Sequence, residues 1–527
     1  MTIQKRRYSR TDCRHGSNKF LFLAVMPFCL HDCEKQAWPI MEPSVEISKL
    51  PVSTELSESS NIALAVDLDG TLVKTDLLWE GIFLLIKENP RALLGLPFWL
   101  WKGIAELKYE IARRTLPDFD LLPYRSEVLA LIRKAKEEGR RIVLVSAAHE
   151  SIAAKVAQHL HCFDEVIATN GSHNLKGENK RLALEQRFGR KQFDYVGDAR
   201  ADLPVWKAAR RGFVVTNNRR LYRRAQAVAF VTQIKAGPSG LRTRARAMRL
   251  HQWSKNILVF VPIIMAHKIV NPHILTNAAL AFLAFGLVSS SVYLVNDLLD
   301  LPTDRAHKIK RARALAAGEV SVAEGFVLAS LLLVLGLTLT LAAGLPFLGA
   351  LLLGYFAMSF VYSSFFKRIA IMDVLVLAGF YSLRIFAGSA ATGIRVSIWL
   401  LAFSMFFFFS LALVKRCSEL IDDASGMIRA RGYFPADLPQ VAAFGVASGF
   451  VSVLVLVLYV MNPEVTVLYR HPSALLFICP LLLYWISRVW MLTMRGMMHD
   501  DPIIFALHDR LSYFVGFLAG LSIYLAI

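Results

Sequence analysis

Residues 275–305 read LTNAALAFLAFGLVSSSVYLVNDLLDLPTDR, an apolar run that ends in three aspartates. The run is long enough to cross a bilayer, which requires about 20 predominantly apolar residues. If the helix stays regular to its end, Asp297, Asp300 and Asp304 are spaced three and four residues apart and share one face. Carboxylates at the rim of a membrane bundle repel one another unless a cation holds them, and oxygen ligands suit a divalent ion. The stretch therefore predicts a metal site at one membrane face; an acidic loop paired with its own arginines is the alternative.

The composition of the chain also requires a part embedded in a membrane. Of its 527 residues 55% are hydrophobic, and the mean hydropathy is +0.44, which is too apolar for a soluble globule. The six cysteines are scattered without the spacing of a zinc site. We expect a transmembrane domain at residues 240–527 with about nine spans, near 256–270, 275–297, 322–343, 346–366, 370–391, 397–414, 437–461, 473–494 and 511–527.

Basic residues are distributed unevenly between the loops that join these spans. Lys and Arg number 60 against 41 Asp and Glu, which gives a formal net charge of +19. The segment before the first predicted span and every second loop are rich in Lys and Arg, whereas the other loops hold only Lys268, Arg395 and Arg470. Because cytoplasmic loops carry excess Lys and Arg, we expect the amino-terminal domain on the cytoplasmic side of an inner membrane. Most of the net positive charge then lies at one membrane face, and no nucleic-acid partner is required to explain it.

Residues 59–233 have the pattern of a soluble α/β domain. The β-rich runs IALAVDLDG, RRIVLVSAA, DEVIAT, FDYVGD and GFVVTN alternate with charged helical stretches. Such alternation is typical of a Rossmann-like parallel sheet, in which functional groups gather at the carboxyl ends of the strands. An insertion at residues 77–138 contains LLGLPFWLWKG and is expected to form a helical cap with a buried face; a patch that touches the membrane is the alternative. Residues 1–58 are expected to be a basic, poorly ordered segment and linker.

The clearest motif of this domain is Asp67-Leu68-Asp69-Gly70-Thr71, at the end of an apolar strand. A carboxylate at a strand tip can attack phosphorus and form an aspartyl-phosphate. A second carboxylate two residues later faces the same side of the strand and can transfer a proton. The motif therefore predicts hydrolysis of a phosphate ester.

Three later elements follow in order, namely Ser146 at the end of RRIVLVS, Lys180 in KGENK, and the pair Asp198 and Asp202 in YVGDARAD. Together with the first motif, they make the domain resemble the haloacid dehalogenase-like phosphohydrolases. The resemblance implies that Asp67 is the nucleophile and Asp69 the acid and base, and that Ser146 and Lys180 hold the phosphoryl oxygens. It also implies a Mg²⁺ site at Asp67, Asp198 and Asp202, and Lys176 is a competing choice for the lysine.

The motif that opens the membrane part, Asn296 to Arg305, resembles the first aspartate-rich motif of the UbiA superfamily of intramembrane prenyltransferases, which have nine helices. The resemblance covers about residues 240–527. It implies that Asn296, Asp297, Asp300 and Asp304 bind Mg²⁺ and the diphosphate of a donor. The second acidic motif of that family would be represented by Asp373 alone, because Leu377 stands where a partner aspartate is expected.

Several pieces are similar to the decaprenyl-phosphate phosphoribosyltransferase branch of this superfamily, among them RLHQWSKNILVFVP at 249–262, Tyr362 before Asp373, and DDPIIFALHDR at 500–510. That branch joins phosphoribosyl diphosphate to a polyprenyl phosphate. Basic side chains on the same face would neutralise the phosphates, although any one of them could be a plain positive-inside anchor. The expected substrate-binding residues are Lys255, Asn296, Arg305, Lys310, Arg313, Lys367, Arg384 and Lys415.

We therefore expect a Mg²⁺-dependent membrane transferase that moves a phosphoribosyl group onto a polyprenyl phosphate. The fused phosphohydrolase would remove a phosphate from the product. One alternative is transfer of a polyprenyl group to an aromatic or quinone-precursor acceptor, which the missing second aspartate disfavours. Another is a degenerate bundle that only tethers a phosphatase.

Overall fold

The structure, a computed structural model, describes residues 62–170, 174–238, 240–422, 431–462, 469–498 and 502–527. The expected amino-terminal segment, residues 1–58, lies outside these ranges. The soluble domain and the helical bundle described below belong to one compact unit of the chain.

A six-stranded sheet forms the core of the soluble domain. All neighbouring strands are parallel, and their order across the sheet is β3-β2-β1-β4-β5-β6. The order reverses at β1, so the crevice beyond the carboxyl ends of β1 and β4 is where such sheets bind ligands. The strands are β1 (Ala63–Asp67), β2 (Ile142–His149), β3 (Glu165–Thr169), β4 (Phe193–Gly197), β5 (Gly212–Val215) and β6 (Val231–Ile234). The predicted Rossmann-like arrangement is confirmed.

Helices cover the sheet and form a small cap between β1 and β2. The cap consists of α1, α2, α3 and a 3₁₀ turn at Pro90–Gly95. The predicted insertion extended to residue 138, but α4 packs Val128 and Ile132 against the apolar face of the sheet and belongs to the core. The helices are α1 (Leu77–Glu88), α2 (Leu96–Lys102), α3 (Ile104–Arg114), α4 (Ser126–Glu137), α5 (Glu150–Leu160), α6 (Glu178–Phe188), α7 (Leu203–Ala208) and α8 (Arg219–Gln226).

The apolar stretch of the cap is far more exposed than expected. Trp99 is buried against α1 and α3. Leu94 and Trp101, in contrast, are 87% and 81% exposed, and Phe98 and Leu100 are also exposed. A two-turn helix that packs on only one side leaves its other apolar side chains without a covering layer. The expectation of a well-buried face is therefore wrong for most of this stretch.

The second half of the chain is a bundle of apolar helices, so the protein is a multi-pass membrane protein. Seven helices in the described ranges are long and apolar enough to cross a bilayer, and Arg510–Ala526 is a shorter apolar helix. The bundle helices are α9 (Leu241–Ala247), α10 (Val261–Met265), α11 (Pro272–Leu299), α12 (Leu301–Ala306), α13 (Val322–Ala342), α14 (Pro346–Ser364), α15 (Met372–Thr392), α16 (Ile398–Ile421) and α17 (Leu438–Val460), followed by Ile478–Met494, Pro502–His508 and Arg510–Ala526.

The predicted count of nine spans is not confirmed. The first predicted span, residues 256–270, is a 3₁₀ segment at Leu250–Phe260 followed by the short helix α10. Lys255 and Asn256 are polar side chains in the middle of this segment, and both are buried within the bundle. The segment is therefore shaped by polar contacts inside the protein, which a count of apolar residues does not detect.

The soluble domain is packed directly on the bundle. Trp79 and Phe83 of α1 contact the ring of Phe326 in α13, with ring centroids 5.6 and 6.0 Å apart. The loop after α12 approaches the soluble core at Gly318, which has a φ of +68°. A Cβ atom at Gly318 would lie 2.7 Å from the Cβ atom of Lys74, so only glycine permits this approach. The loop that follows the aspartate motif is thus held against the soluble domain.

Candidate active sites

The first candidate site lies at the carboxyl end of β1, where Asp67 ends the strand. Its Oδ2 atom is 2.8 Å from Nζ of Lys180, and its Oδ1 atom accepts a hydrogen bond of 2.8 Å from the Leu68 N–H. Burial raises the pKa of Asp67, and the Lys180 ammonium opposes that rise. Lys176, the competing lysine, is exposed. The structure therefore brings Lys180 to the predicted nucleophile.

Two further carboxylates complete this site from the end of β4. One oxygen from each of Asp67, Asp198 and Asp202 lies within 4.8 Å of the others. Asp198 accepts a hydrogen bond of 3.1 Å from the Thr71 hydroxyl, and burial, then the Asp202 carboxylate, raises its pKa well above the usual range. Three crowded carboxylates, two of them buried and Asp198 half-buried, are costly unless a cation shares them, and oxygen ligands suit Mg²⁺. The residues present fit the predicted metal site.

The structure adds Tyr195, which the sequence analysis did not single out. Its hydroxyl donates a hydrogen bond of 2.8 Å to Asp202 and accepts one of 3.0 Å from Lys180. Tyr195 stands in the buried strand run FDYVGD, where a tyrosine normally indicates core packing. The sequence did hold a signal for this role. Tyr195 lies two residues before Gly197, the last residue of β4, and alternate residues of a strand face the same side, so Tyr195 faces the same side as the strand end.

Asp69 and Ser146 also lie at this edge of the sheet. The Asp69 carboxylate accepts a hydrogen bond of 2.9 Å from the Leu77 N–H at the start of α1. Burial and then the Asp76 carboxylate raise the pKa of Asp69 to about 8, as an acid that must hold a proton at neutral pH requires. Ser146 is fully buried in β2, with its hydroxyl 2.9 Å from the Ala148 N–H.

The cap contributes one basic residue near this site that the sequence analysis also missed. Lys108 of α3 donates hydrogen bonds of 2.6 Å to the Ala147 carbonyl and 3.2 Å to the Asn174 side chain. Burial lowers the pKa of Lys108, and the Asp69 carboxylate opposes the shift. A cation of the cap thus lies next to the carbonyl that follows Ser146.

The second candidate site is the aspartate cluster at the end of α11. Asp297 Oδ1 lies 2.5 Å from an Arg249 nitrogen and 3.1 Å from an Arg313 nitrogen, and the same Arg313 nitrogen lies 2.6 Å from Asp304 Oδ2. Arginines therefore neutralise Asp297 and Asp304 in this structure, which agrees with the alternative named in the sequence analysis and leaves metal binding a prediction. One of them, Arg249, lies well before the motif in the sequence and still reaches Asp297.

Asp300 has a different environment because the helix is interrupted there. α11 ends at Leu299 and α12 starts at Leu301, with Pro302 near its amino terminus. The Asp300 carboxylate lies 2.7 and 2.8 Å from Nζ of Lys367 and 3.5 Å from Nζ of Lys87. The predicted single regular face is thus broken at Asp300. Among the described residues, these aspartates do not form a group of three whose oxygens meet around one point, and their metal binding stays a prediction.

Asn296 lies beside the cluster, and its Oδ1 accepts a hydrogen bond of 2.7 Å from Ser363. Lys310 is half-buried after α12, and burial, then the charges of Arg431 and Arg313, lowers its pKa. Lys415 is half-buried in the last third of α16. These three positions are compatible with the predicted substrate-binding roles and do not establish them.

Asp373 is not arranged as a predicted metal ligand. Both it and Arg416 are fully buried, and Arg416 approaches its Oδ2 to 2.6 Å. The Tyr433 hydroxyl donates a hydrogen bond of 2.6 Å to its Oδ1. Its Oδ1 thus accepts a hydrogen bond, whereas its Oδ2 has no hydrogen-bond partner among the described residues and only faces the Arg416 charge, so we reassign Asp373 to a buried ion pair.

Arg305 also departs from its predicted substrate-binding role. Its guanidinium forms a two-point ion pair of 3.0 and 2.5 Å with Glu80 of α1, and its Nε donates 3.2 Å to the Ala316 carbonyl. Both side chains of the ion pair are buried. Arg305 therefore joins the soluble domain to the bundle.

A third set of polar groups lies deeper in the bundle, around Arg384 of α15. Its Nε donates a hydrogen bond of 3.0 Å to Oδ1 of Asn256, and its guanidinium lies over the rings of Phe285, Tyr355 and Tyr381 at 5.0, 5.8 and 5.4 Å. The buried Nδ2 of Asn256 has no hydrogen-bond partner within the described chain. Lys255 lies 5.7 Å from the Tyr381 ring centroid. The two predicted cations are thus brought together.

Comparisons with known proteins match both halves of the chain. The model of the UbiA prenyltransferase family matches residues 257–507, and that of haloacid dehalogenase-like hydrolases matches residues 64–207. The chain is 39% identical to "Uncharacterized protein y4nM" of Sinorhizobium fredii, over 88% of this chain and 91% of that protein. It is 33% identical to "Nodulation protein NoeC" of Azorhizobium caulinodans, over 51% of this chain and 87% of that protein. It is also 33% identical to "Decaprenyl-phosphate phosphoribosyltransferase" of Corynebacterium glutamicum, over 33% of this chain and 54% of that protein.

Proposed function

This chain belongs to the UbiA prenyltransferase family and carries a haloacid dehalogenase-like hydrolase domain in front, and from that premise we propose that it transfers phosphoribosyl groups to a lipid. The donor is phosphoribosyl diphosphate, and the acceptor is a polyprenyl phosphate of decaprenyl type, the substrate class in the name of one group of relatives. The transferase comprises residues 240–527 and the hydrolase residues 59–233. The hydrolase lies on the cytoplasmic side of the inner membrane, on the side of the basic loops.

One observation carries the choice of acceptor, namely the buried guanidinium of Arg384. It is 4% exposed, and within the described residues its hydrogen-bond partners are an amide and a carbonyl rather than a carboxylate. A cation buried in a bundle without a counter-ion is costly and indicates function. A lipid phosphate would supply the missing negative charge and accept a hydrogen bond from the orphaned Asn256 amide. A neutral aromatic acceptor could accept that hydrogen bond through a phenol or quinone oxygen, but it would leave the guanidinium without a counter-ion.

The arrangement suggests how two anionic substrates react. An oxygen of the acceptor phosphate attacks C1 of the ribose, the bond between C1 and the diphosphate oxygen breaks, and diphosphate leaves with the bonding electron pair. The acceptor is already ionised, so no general base is needed, and positioning dominates. Arg249, Arg313 and Lys367, which neutralise the aspartates in the structure, would bind the leaving diphosphate.

Magnesium is part of the proposal at both sites. In the hydrolase, Asp67, Asp198 and Asp202 would hold it. In the bundle, Asp297, Asp300 and Asp304 offer the oxygen ligands that Mg²⁺ prefers. At either site the ion would supply positive charge next to phosphate oxygens.

The fused hydrolase would act on the 5-phosphate of the product lipid. Asp67 attacks the phosphorus, the bond to the ribose oxygen breaks, and Asp69 gives that oxygen its proton. Water then attacks the aspartyl-phosphate while Asp69 takes a proton back, which releases inorganic phosphate. Lys180, 2.8 Å from Asp67, neutralises the phosphoryl oxygens.

The second candidate function is transfer of a polyprenyl group from its diphosphate to an aromatic or quinone-precursor acceptor. The ion pair of Asp373 with Arg416 disfavours it, because it occupies the carboxylate that would serve as the second acidic motif. The matched family model is named for prenyl transfer, whereas one group of relatives is named for phosphoribosyl transfer, so the substrates must be tested directly.

Arg384→Gln tests the proposed acceptor. We expect the KM for polyprenyl phosphate to rise about tenfold or more, as loss of a charged hydrogen-bond partner predicts, while the KM for phosphoribosyl diphosphate stays within about twofold. Arg488→Gln, which removes an arginine paired with Asp509, is the matched control. An unchanged KM for the lipid in Arg384→Gln contradicts the assignment of the acceptor site.

A further inference from the structure

One helix of the hydrolase cap lies against the transferase site. α1 presents Glu80, Phe83 and Lys87 on a single face, because residues three, four and seven apart lie on one side of a helix. Phe83 packs into the apolar cluster that contains Leu298, at the end of α11. The face that meets the bundle thus has an acid at one end, an apolar centre and a lysine at the other end.

Glu80 fixes the position of this helix. Its two carboxylate oxygens lie 2.5 and 3.0 Å from the Arg305 guanidinium, and both side chains are less than 10% exposed. Two-point pairs of this kind set orientation as well as distance. Lys87 lies two helical turns further along and is carried to Asp300, with 3.5 Å between Nζ and Oδ1.

Asp300 does not need Lys87 for its own neutralisation. Nζ of Lys367 already lies 2.7 and 2.8 Å from its two carboxylate oxygens. Within the part of the chain that the structure describes, four cationic side chains form ion pairs with the three aspartates of the cluster, namely Arg249, Arg313, Lys367 and Lys87. The surplus cation of this set is Lys87, which the hydrolase cap supplies.

Docking of the two domains does not explain this position of Lys87. Its side chain is 23% exposed and that of Asp300 19%, and partly exposed ion pairs of this length contribute little stability. The buried pair of Glu80 with Arg305 and the contacts of Phe83 already hold the domains together. The surplus positive charge is available to a polyanion that enters between Asp300 and the cap.

We propose that Lys87 is a binding residue for the diphosphate of the transferase donor, so that the hydrolase domain completes the transferase site. The inference rests on the proposed diphosphate donor. When phosphoribosyl diphosphate binds, the Lys87 ammonium leaves Asp300 and donates a hydrogen bond to a diphosphate oxygen. The diphosphate then replaces the Asp300 carboxylate as the counter-ion of Lys87. The hydrolase domain would then strengthen the binding of the donor to the transferase site.

Binding of inorganic pyrophosphate tests the proposal without relying on turnover. The full-length protein is used in lipid nanodiscs with Mg²⁺, in an Asp67→Asn, Asp198→Asn background that disables the hydrolase site, and affinity is measured by calorimetry. We expect Lys87→Ala to weaken binding about tenfold, and Lys87→Arg to stay within about threefold of the parent protein because it retains the charge. Lys102→Ala is the matched control, since Lys102 is an exposed lysine of the same cap that lies over the Phe98 ring.

In the transfer reaction, Lys87→Ala should raise the KM for the donor by the same factor and leave kcat within about twofold, the pattern of lost ground-state binding. Hydrolysis of an aryl phosphate by Lys87→Ala in the otherwise natural chain should be unchanged, which shows that the cap is folded. Parent-like pyrophosphate affinity in Lys87→Ala, or no measurable pyrophosphate binding by the parent protein, overturns the proposal. Lys87-dependent pyrophosphate binding without any phosphoribosyl lipid product supports the Lys87 site and overturns the proposed reaction.

Discussion

Arg416 and Asp373 form a fully buried ion pair, with 2.6 Å between a guanidinium nitrogen and the carboxylate. The pair occupies the position where a second metal-binding aspartate was expected, and Tyr433 satisfies the other oxygen of Asp373. A carboxylate held in this way stabilises the packing of α15 on α16.

Asp373→Asn should therefore destabilise the protein instead of changing its response to metal. Arg416 keeps Glu419 as a second counter-ion in this variant, so we expect a loss below the about 3–5 kcal/mol that a buried charge without any partner would cost. Thermal unfolding in detergent measures the loss, and the Mg²⁺ concentration for half-maximal transfer should be unchanged in the surviving protein. A normal melting temperature combined with a higher Mg²⁺ requirement would restore Asp373 as a metal ligand.

Asp67→Asn should abolish release of phosphate from an aryl phosphate, by about a thousandfold or more, since it removes the nucleophile. Lys180→Met should lower the rate by about a hundredfold or more, because a preorganised cation is lost from the phosphoryl oxygens. Lys176→Met, at the exposed competing lysine, is the matched control and should retain nearly full activity. Equal losses of phosphate release in Lys176→Met and Lys180→Met would refute the assignment of Lys180, instead of Lys176, as the lysine of the site.

The rate of phosphate release should fall as the pH rises through about 8. Burial and the Asp76 carboxylate raise the pKa of Asp69 to about 8, so Asp69 holds its proton at neutral pH and loses it above that value. A general acid acts only in its protonated form, and kcat/KM for an aryl phosphate with a poor leaving group should therefore decline on the alkaline side. Asp76→Asn removes one cause of the shift and should move the decline to lower pH; a profile that is flat from pH 6 to about 10 contradicts the role of Asp69.

Glu80 and Arg305 should show strong energetic coupling. Glu80→Ala or Arg305→Ala alone leaves a buried charge unpaired and should lower the free energy of unfolding by about 3–5 kcal/mol, whereas the double variant should cost much less than the sum. The cycle is measured by denaturant unfolding of the purified chain, with the exposed pair Arg141 and Glu165 as the control. Additive losses at Glu80 and Arg305 would show that the ion pair does not join the domains.

Local sequence was sufficient for the elements that depend on local patterns. The parallel sheet follows from buried β-rich runs, and Asp67 was singled out by its place at the end of a strand. Lys180, Asp198 and Asp202 were identified through the resemblance to haloacid dehalogenase-like phosphohydrolases. The clustering of these residues then follows from the topology of the sheet.

Contacts between distant segments could not be predicted in the same way. Lys87 and Asp300 are 213 positions apart. Nothing in the sequence of the cap helix or of the aspartate motif predicts that the two segments are in contact. An aspartate next to apolar residues can be a metal ligand or half of an ion pair, and only the fold shows that Arg416 reaches Asp373. The apolar stretch of the cap was misjudged for a related reason, because hydropathy does not tell how many sides of a short helix are covered.

The most direct measurement is the mass of the lipid formed when purified full-length protein and Mg²⁺ are given phosphoribosyl diphosphate and polyprenyl phosphate. With the natural protein, we expect the polyprenyl phosphate to gain a phosphoribosyl group and then to lose one phosphate. With the Asp67→Asn variant, the lipid should keep that phosphate. With Asp297→Asn or Asp300→Asn, provided that the variant protein inserts normally into the membrane, no new lipid should form. A lipid fraction unchanged in mass, together with a prenylated aromatic product from polyprenyl diphosphate and an aromatic acceptor, would contradict phosphoribosyl transfer.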